Sequence, residues 1–271
     1  MAALRWETES QAYVETNEAP KRYDPESEAW VETTGMSWDP EAEAWTERWG
    51  KKVSAYVYGA ALETVTIKKD GIIVATVDTN TDGCSNEQIE LPYGTYTLIG
   101  SVSGWTEEQT VDKDTTKFRA MPAGSLYWFG NECTGVTGGW EWLQSGYTRG
   151  NAVFSQNGTY NVFTKYTNYF KITSWYVYST LISPVNKIDF SKYSKIYAYS
   201  QGLSEAPGDG PNIRACNDTD LDNYILNVGC DPSKTSYTQT VLDIGSVSDI
   251  AKMFIYAYSD RSCQVKSLWL E

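Results

Sequence analysis

A chain of 271 residues with 22 basic and 35 acidic side chains, a net charge of −13 and no histidine excludes several classes of protein at once. Without imidazole there is no Ser-His-Asp or Cys-His nucleophile pair and no His-ligated zinc, so catalysis would have to run on carboxylates. The acidic balance argues against a nucleic-acid partner, and no apolar run approaches the length of a membrane span.

The first module expected is residues 1–50, which carry a threefold repeat. Arg5 to Thr16 aligns with Arg22 to Thr33 and with Ser37 to Arg48, and an aromatic residue (Trp6, Tyr23, Trp38) stands seven positions before a second one (Tyr13, Trp30, Trp45). Asp24-Pro25 and Asp39-Pro40 put Asp and Pro at the first two positions of a type I turn, so each repeat reads as a β-hairpin. A helix over Glu41 to Arg48 is the rival, because Glu-Ala-Glu-Ala-Trp has good helix propensity. Such small units cannot bury their own faces, so they are expected to stack on each other or on another subunit. Twelve acids against four bases place most of the net charge here.

Residues 51–122 alternate apolar and polar positions through Ser54 to Tyr58, Thr64 to Ile67 and Ile72 to Val77. Turn signals lie at Lys69-Asp70-Gly71, Asn80-Thr81-Asp82-Gly83 and Pro92-Tyr93-Gly94. Short strands at this spacing imply a β-sandwich. The run Leu91-Pro92-Tyr93-Gly94-Thr95-Tyr96-Thr97-Leu98, following a Thr81-Asp82-Gly83 turn, resembles the prealbumin-like and Ig-like modules related to carboxypeptidase regulatory domains. That resemblance implies an Ig-like sandwich serving as a spacer or binding unit.

Residues 123–271 continue in strand-forming sequence, clearest at Trp175 to Tyr178, Lys195 to Tyr199, Met253 to Tyr258 and Val265 to Glu271, which suits a jelly roll. The segments Leu126 to Cys133, Val136 to Trp140 and Ile188 to Tyr193 resemble C-terminal jelly-roll domains of tail-associated proteins from bacteriophages of gut Firmicutes, and the N-terminal repeats are similar to repeats in the same class. The resemblance implies an all-β virion protein: hairpin repeats for anchoring, an Ig-like spacer and a lectin-like jelly roll. Its expected partners are other virion proteins, further copies of itself (a trimer) and a cell-surface glycan. It implies assembly in the host cytoplasm, placement in the tail, baseplate or head, and no enzymatic activity. A purely structural decoration protein is the alternative.

Within the jelly roll, Trp140, Trp142, Tyr147, Trp175 and Tyr176 are the candidate carbohydrate-binding residues, because sugar C–H faces lie flat on indole and phenol rings. Alternation along a strand puts Trp140 and Trp142 on one face, which equally suits a core or a subunit interface. Asp78 to Gly83 matches the first half of a calcium loop, but its twelfth position is Ile89, so a self-capped turn competes; Asn217 to Asn223 is a second acidic loop. No metal or other cofactor is expected. Five cysteines without C-x-x-C spacing read as small buried hydrophobes in a reducing compartment, with a Cys216–Cys230 bridge as the one pairing considered. The polar, acidic first twenty residues lack a signal-peptide pattern.

Overall fold

The computed structural model describes the backbone of six short strands between residues 3 and 47, and residues 52–142, 162–174, 180–203, 210–217, 222–233, 235–257 and 261–271. Strand dominates throughout. The first six strands form three separate hairpins: β1 (Ala3–Glu7) with β2 (Ala12–Thr16), β3 (Lys21–Asp24) with β4 (Ala29–Glu32), and β5 (Met36–Asp39) with β6 (Ala44–Glu47). One register recurs, setting Trp6 opposite Tyr13, Tyr23 opposite Trp30, and Trp38 opposite Trp45. Opposed aromatic residues favour a hairpin by roughly 0.2–1 kcal/mol per pair. The helical alternative therefore fails at Ala44–Glu47, which pairs as strand; the Pro-containing turns lie outside the described residues.

The next strands are β7 (Lys52–Ala55), β8 (Val57–Tyr58), β9 (Thr64–Lys69), β10 (Ile72–Asp78), β11 (Ile89–Pro92), β12 (Gly94–Gly100), β13 (Thr106–Val111) and β14 (Phe118–Arg119). A four-stranded antiparallel sheet in the order β10-β9-β12-β13 packs on two strand pairs, β7 with β11 and β8 with β14. Period-two burial makes this a sandwich: Val65 and Ile67 of β9, Tyr96 and Leu98 of β12, Val57 and Phe118 share one core. Asp70 and Gly71, both at positive φ, close the two-residue turn that the sequence signals between β9 and β10. Tyr96 buries its ring and donates its hydroxyl to the Pro92 carbonyl at 2.7 Å, which fixes the corner of the Leu91-to-Leu98 run.

The remaining elements are β15 (Gly124–Trp128), β16 (Asn131–Glu132), the one-turn helix α1 (Thr134–Thr137), β17 (Trp140–Trp142), β18 (Val162–Lys165), β19 (Phe170–Thr173), β20 (Thr180–Pro184) and β21 (Ile188–Asp189). After a 3-10 turn at Phe190–Lys192 come β22 (Lys195–Gly202), β23 (Asn212–Cys216), β24 (Tyr224–Gly229), β25 (Thr238–Asp243), β26 (Ile250–Ala257) and β27 (Ser262–Leu270). They make two sheets. The larger centres on β27, with β22 and then β25 on one side and β15 and β19 sharing the other; the smaller runs β17-β20-β26-β23-β24. Between them lies one core that includes Leu126, Phe170, Ile196, Ile213, Ile255 and Leu268. None of the five cysteines is in a disulfide, so Cys216 and Cys230 are not bridged, and all but half-buried Cys84 are buried.

Candidate binding cleft

Strand β22 alternates cleanly: Ile196 and Ala198 enter the sandwich core, while Tyr197 and Tyr199 face outward. In β27, Trp269 also points outward, stacked flat on its cross-strand partner Tyr197 at 4.8 Å. On a free sheet these rings would be wet. Here Trp105, from the loop before β13 of the first sandwich, sits edge-on to Trp128 at 5.4 Å and to Trp269 at 6.2 Å. Trp128 and Trp269 meet in turn at 5.5 Å. Ala60, Met121, Phe129 and Cys133 complete this third, smallest core, which joins the two sandwiches. Aromatic pairs of this geometry contribute about 0.5–1.5 kcal/mol each beyond the area they bury.

Polar contacts lock the same junction. The Ala61 N–H donates to the Phe129 carbonyl at 2.9 Å, and Asn131 donates its amide to the Gly59 carbonyl at 3.0 Å. Two glycines allow the close approach. Gly83 (φ 72) lies where a Cβ would strike Asn131, and Gly130 (φ 94) lies where one would strike the Thr167 carbonyl oxygen and Ala61. Behind the junction, buried Glu63 accepts hydrogen bonds from the N–H groups of Ala60, Val102 and Ser103 and from the Ser103 hydroxyl. That carboxylate ties the loop before Trp105 to the loop before β9. The first sandwich thus covers the aromatic face of the second.

Beside the junction opens a cleft of about 820 Å³ lined by both sandwiches. Its walls carry two aromatic faces. Tyr58 lies under the Lys117 ammonium at 5.0 Å, and Tyr166, well exposed, stacks on Tyr169 at 4.4 Å. Burial pushes the Tyr58 phenol up from its ordinary range. Three cations, Lys117, Arg119 and Lys165, share the lining with two carboxylates, Asp82 and Glu132. Lys165 and Glu132 pair with each other at 2.7 Å. Cys133, deep in the wall, is pushed up to about 12 by burial, so its thiol stays protonated. Pockets of this size with aromatic walls and a few placed polar groups are the usual form of a small-molecule site.

Of the five aromatic residues singled out in the sequence, Trp140 has a described side chain, and it is not among the lining residues of this cleft. Trp140 is half-buried against the jelly-roll core, with its indole N–H donated to the Leu126 carbonyl at 3.2 Å and its ring 6.4 Å from Phe170. That is the core placement weighed against a sugar platform. Trp142 contributes backbone to β17, opposite Ile182. Tyr147, Trp175 and Tyr176 lie outside the described residues. The Asp78-to-Gly83 loop caps itself: the Asn80 carbonyl oxygen of the side chain accepts from the N–H groups of Asp82 and Cys84, and Asp78 accepts from the Thr64 hydroxyl. In the second acidic loop, Asp222 pairs with Arg214 at 3.3 Å, and residues 218–221 lie outside the described residues. Nothing in the sequence marks the cleft residues as belonging together: they come from separate segments, and Asp82 is legible only as part of a turn or a calcium-loop candidate.

Comparison with known families and with curated proteins finds no match for this chain. Among solved structures it is similar to a secreted serine protease, VesC, from Vibrio cholerae, at 8% identity and a TM-score of 0.28, covering 84% of this chain and 46% of the other. It is also similar to the CBM51-2 and INT domains of Clostridium perfringens ZmpB, at 9% identity and a TM-score of 0.25, covering 76% of this chain and 40% of that one. A second structure of those domains, with CBM51-2 in complex with GlcNAc, gives 11% identity, a TM-score of 0.25 and coverages of 76% and 48%. The chain spans less than half the length of each of these structures.

Proposed function

We propose that this chain is an adhesion protein of a bacteriophage virion that binds carbohydrate in the cleft between its two sandwiches, with the N-terminal hairpins serving assembly. The observation that carries the carbohydrate reading is the cleft itself. It offers exposed Tyr166 as a flat stacking surface, Tyr58 on the opposite module, and amide, hydroxyl and charged groups around them for sugar hydroxyls. The virion assignment is supported by the resemblance of the repeats and jelly-roll segments, and the common register of the three hairpins suits a stacked assembly unit. A binding role is favoured over hydrolysis. A glycosidase works with a pair of carboxyl groups, and of the two described in the lining, Asp82 and Glu132, the second is engaged by Lys165 at 2.7 Å.

The test is a glycan array and intact gut Firmicutes cells, probed with the full chain and with Tyr166→Ala, whose exposed ring can be removed at little cost in stability. Loss of binding with unchanged thermal unfolding supports the proposal. A folded chain that binds no glycan and no cell refutes it. A structural decoration protein is then the better reading, and one observation favours it: the edge strand β10 exposes Ile72, Ile73 and Val74 at 70%, 59% and 48%, a surface suited to burial against a neighbouring subunit.

A further inference from the structure

We propose that the glycan taken by this cleft is anionic, carrying a carboxylate or phosphate that binds between Lys117 and Arg119; this rests on the carbohydrate reading above. The chain as a whole carries −13, which disfavours anions everywhere except where cations are locally concentrated. The cleft is such a place. Lys165 and Glu132 neutralise each other, which leaves Lys117 and Arg119 facing a single exposed carboxylate, Asp82, among the described lining residues. Neither Lys117 nor Arg119 has a carboxylate within ion-pair distance among the described residues.

The two cations are built into the wall differently. Lys117 extends across the Tyr58 ring, and its ammonium lies 3.5 Å from where a Cβ on Gly135 would stand, so it packs over a residue with no side chain. Arg119 follows the buried Phe118 in β14, and its Nε is buried without a hydrogen-bond partner. Arg119 nevertheless lines the cleft beside Lys117, and guanidinium pairs with carboxylate or phosphate through charge-assisted bonds, so an oxyanion there meets two cations. Tyr166 lines the same cleft and offers its ring to the sugar attached to that anion.

The probes are three polymers with one backbone: dextran, carboxymethyl-dextran and phosphorylated dextran, titrated against the full chain by calorimetry at two salt concentrations. The expected result is tighter binding of the charged polymers, weakened by salt, and lost about tenfold in Lys117→Gln or Arg119→Gln, as expected for one charge-assisted hydrogen bond. Lys117 is exposed, so its variant folds even where the Arg119 variant does not, and Lys192→Gln, outside the cleft, serves as the unchanged control. The carboxymethyl and phosphoryl arms separate the two anion sources. Equal affinity for neutral and charged dextran, unmoved by Lys117→Gln, overturns the inference. So does failure of all three polymers while neutral glycans bind on the array, and in both cases the carbohydrate reading stands. Failure on the whole array removes that reading and this inference together.

Discussion

Trp105→Ala tests whether the two sandwiches act as one body. The ring bridges them through edge contacts to Trp128 and Trp269, and its indole N–H donates to Glu107 at 3.1 Å within its own module. Two aromatic pairs contribute about 1–3 kcal/mol together. Removing a large aromatic from a packed site costs about 3–5 kcal/mol, and Trp105 is half-buried, so the lower end applies, about 3 kcal/mol. At about 2–4 °C per kcal/mol for modules of this size, the melting temperature should fall by about 6–12 °C. Cooperativity should change as well. Differential scanning calorimetry of the parent should show one transition across both sandwiches, and the variant should show two, with the van't Hoff enthalpy falling below the calorimetric one. A variant that melts within 1 °C of the parent in a single transition, with the same ligand affinity, would refute the claim that this cluster couples the modules.

Three other substitutions and conditions probe the junction and the cleft. Gly130→Ala forces a Cβ against the Thr167 carbonyl and Ala61 at φ 94, so it should cost about 3 kcal/mol and displace the Tyr166 turn; denaturant unfolding and glycan titration read both effects. Glu63→Gln replaces a buried carboxylate that accepts four hydrogen bonds, with an expected loss of about 2 kcal/mol and a shift in Trp105 emission as the loop at Val102 and Ser103 loosens. Cys84 should be the first thiol to react with a disulfide reagent at pH 8, while buried Cys133 and Cys230, both pushed up to about 12, stay inert. Their folded values lie above the ordinary 9.0, so the stabilisation they give is complete below about pH 9 and is lost as pH rises from 9 towards 12. Urea midpoints measured from pH 8 to 11 should therefore fall, and fall less steeply in Cys133→Ala.

The strands were largely legible because local physics decides them. A two-residue Asp70-Gly71 turn demands positive φ, and period-two alternation at Val65, Ile67 and at Tyr96, Leu98 assigns the buried face without any knowledge of the partner sheet. The aromatic spacing of the repeats fixes their register for the same reason: a four-residue loop after Asp24 or Asp39 leaves one pairing that sets ring opposite ring. The one-turn helix at Thr134–Thr137 was not legible. It is ended by Gly138 in the left-handed conformation, and it is a single turn set between strands β16 and β17. Trp140 illustrates the opposite limit. Alternation places it on a face with Trp142 but says nothing of what covers that face, and the answer is Phe170 and Leu126, from strands separated from it by many residues.

The cleft was illegible for a deeper version of the same reason. Outward aromatic residues such as Tyr197 and Trp269 alternate away from the core of their own sandwich, and the contact that buries Trp269 and half-buries Tyr197 is with the chain's own first sandwich. The connection between the two makes this unavoidable. Between Arg119 at the end of β14 and Gly124 at the start of β15 stand four residues, with Met121 and Pro122 themselves buried. Four residues span at most about 14 Å when fully extended, too little to hold two sandwiches apart. The first module covers the outward aromatic face of the second, and the groove beside that contact is lined by residues from each. Arg119 lies at the end of β14 and Lys165 at the end of β18, which is how charges far apart in sequence converge there.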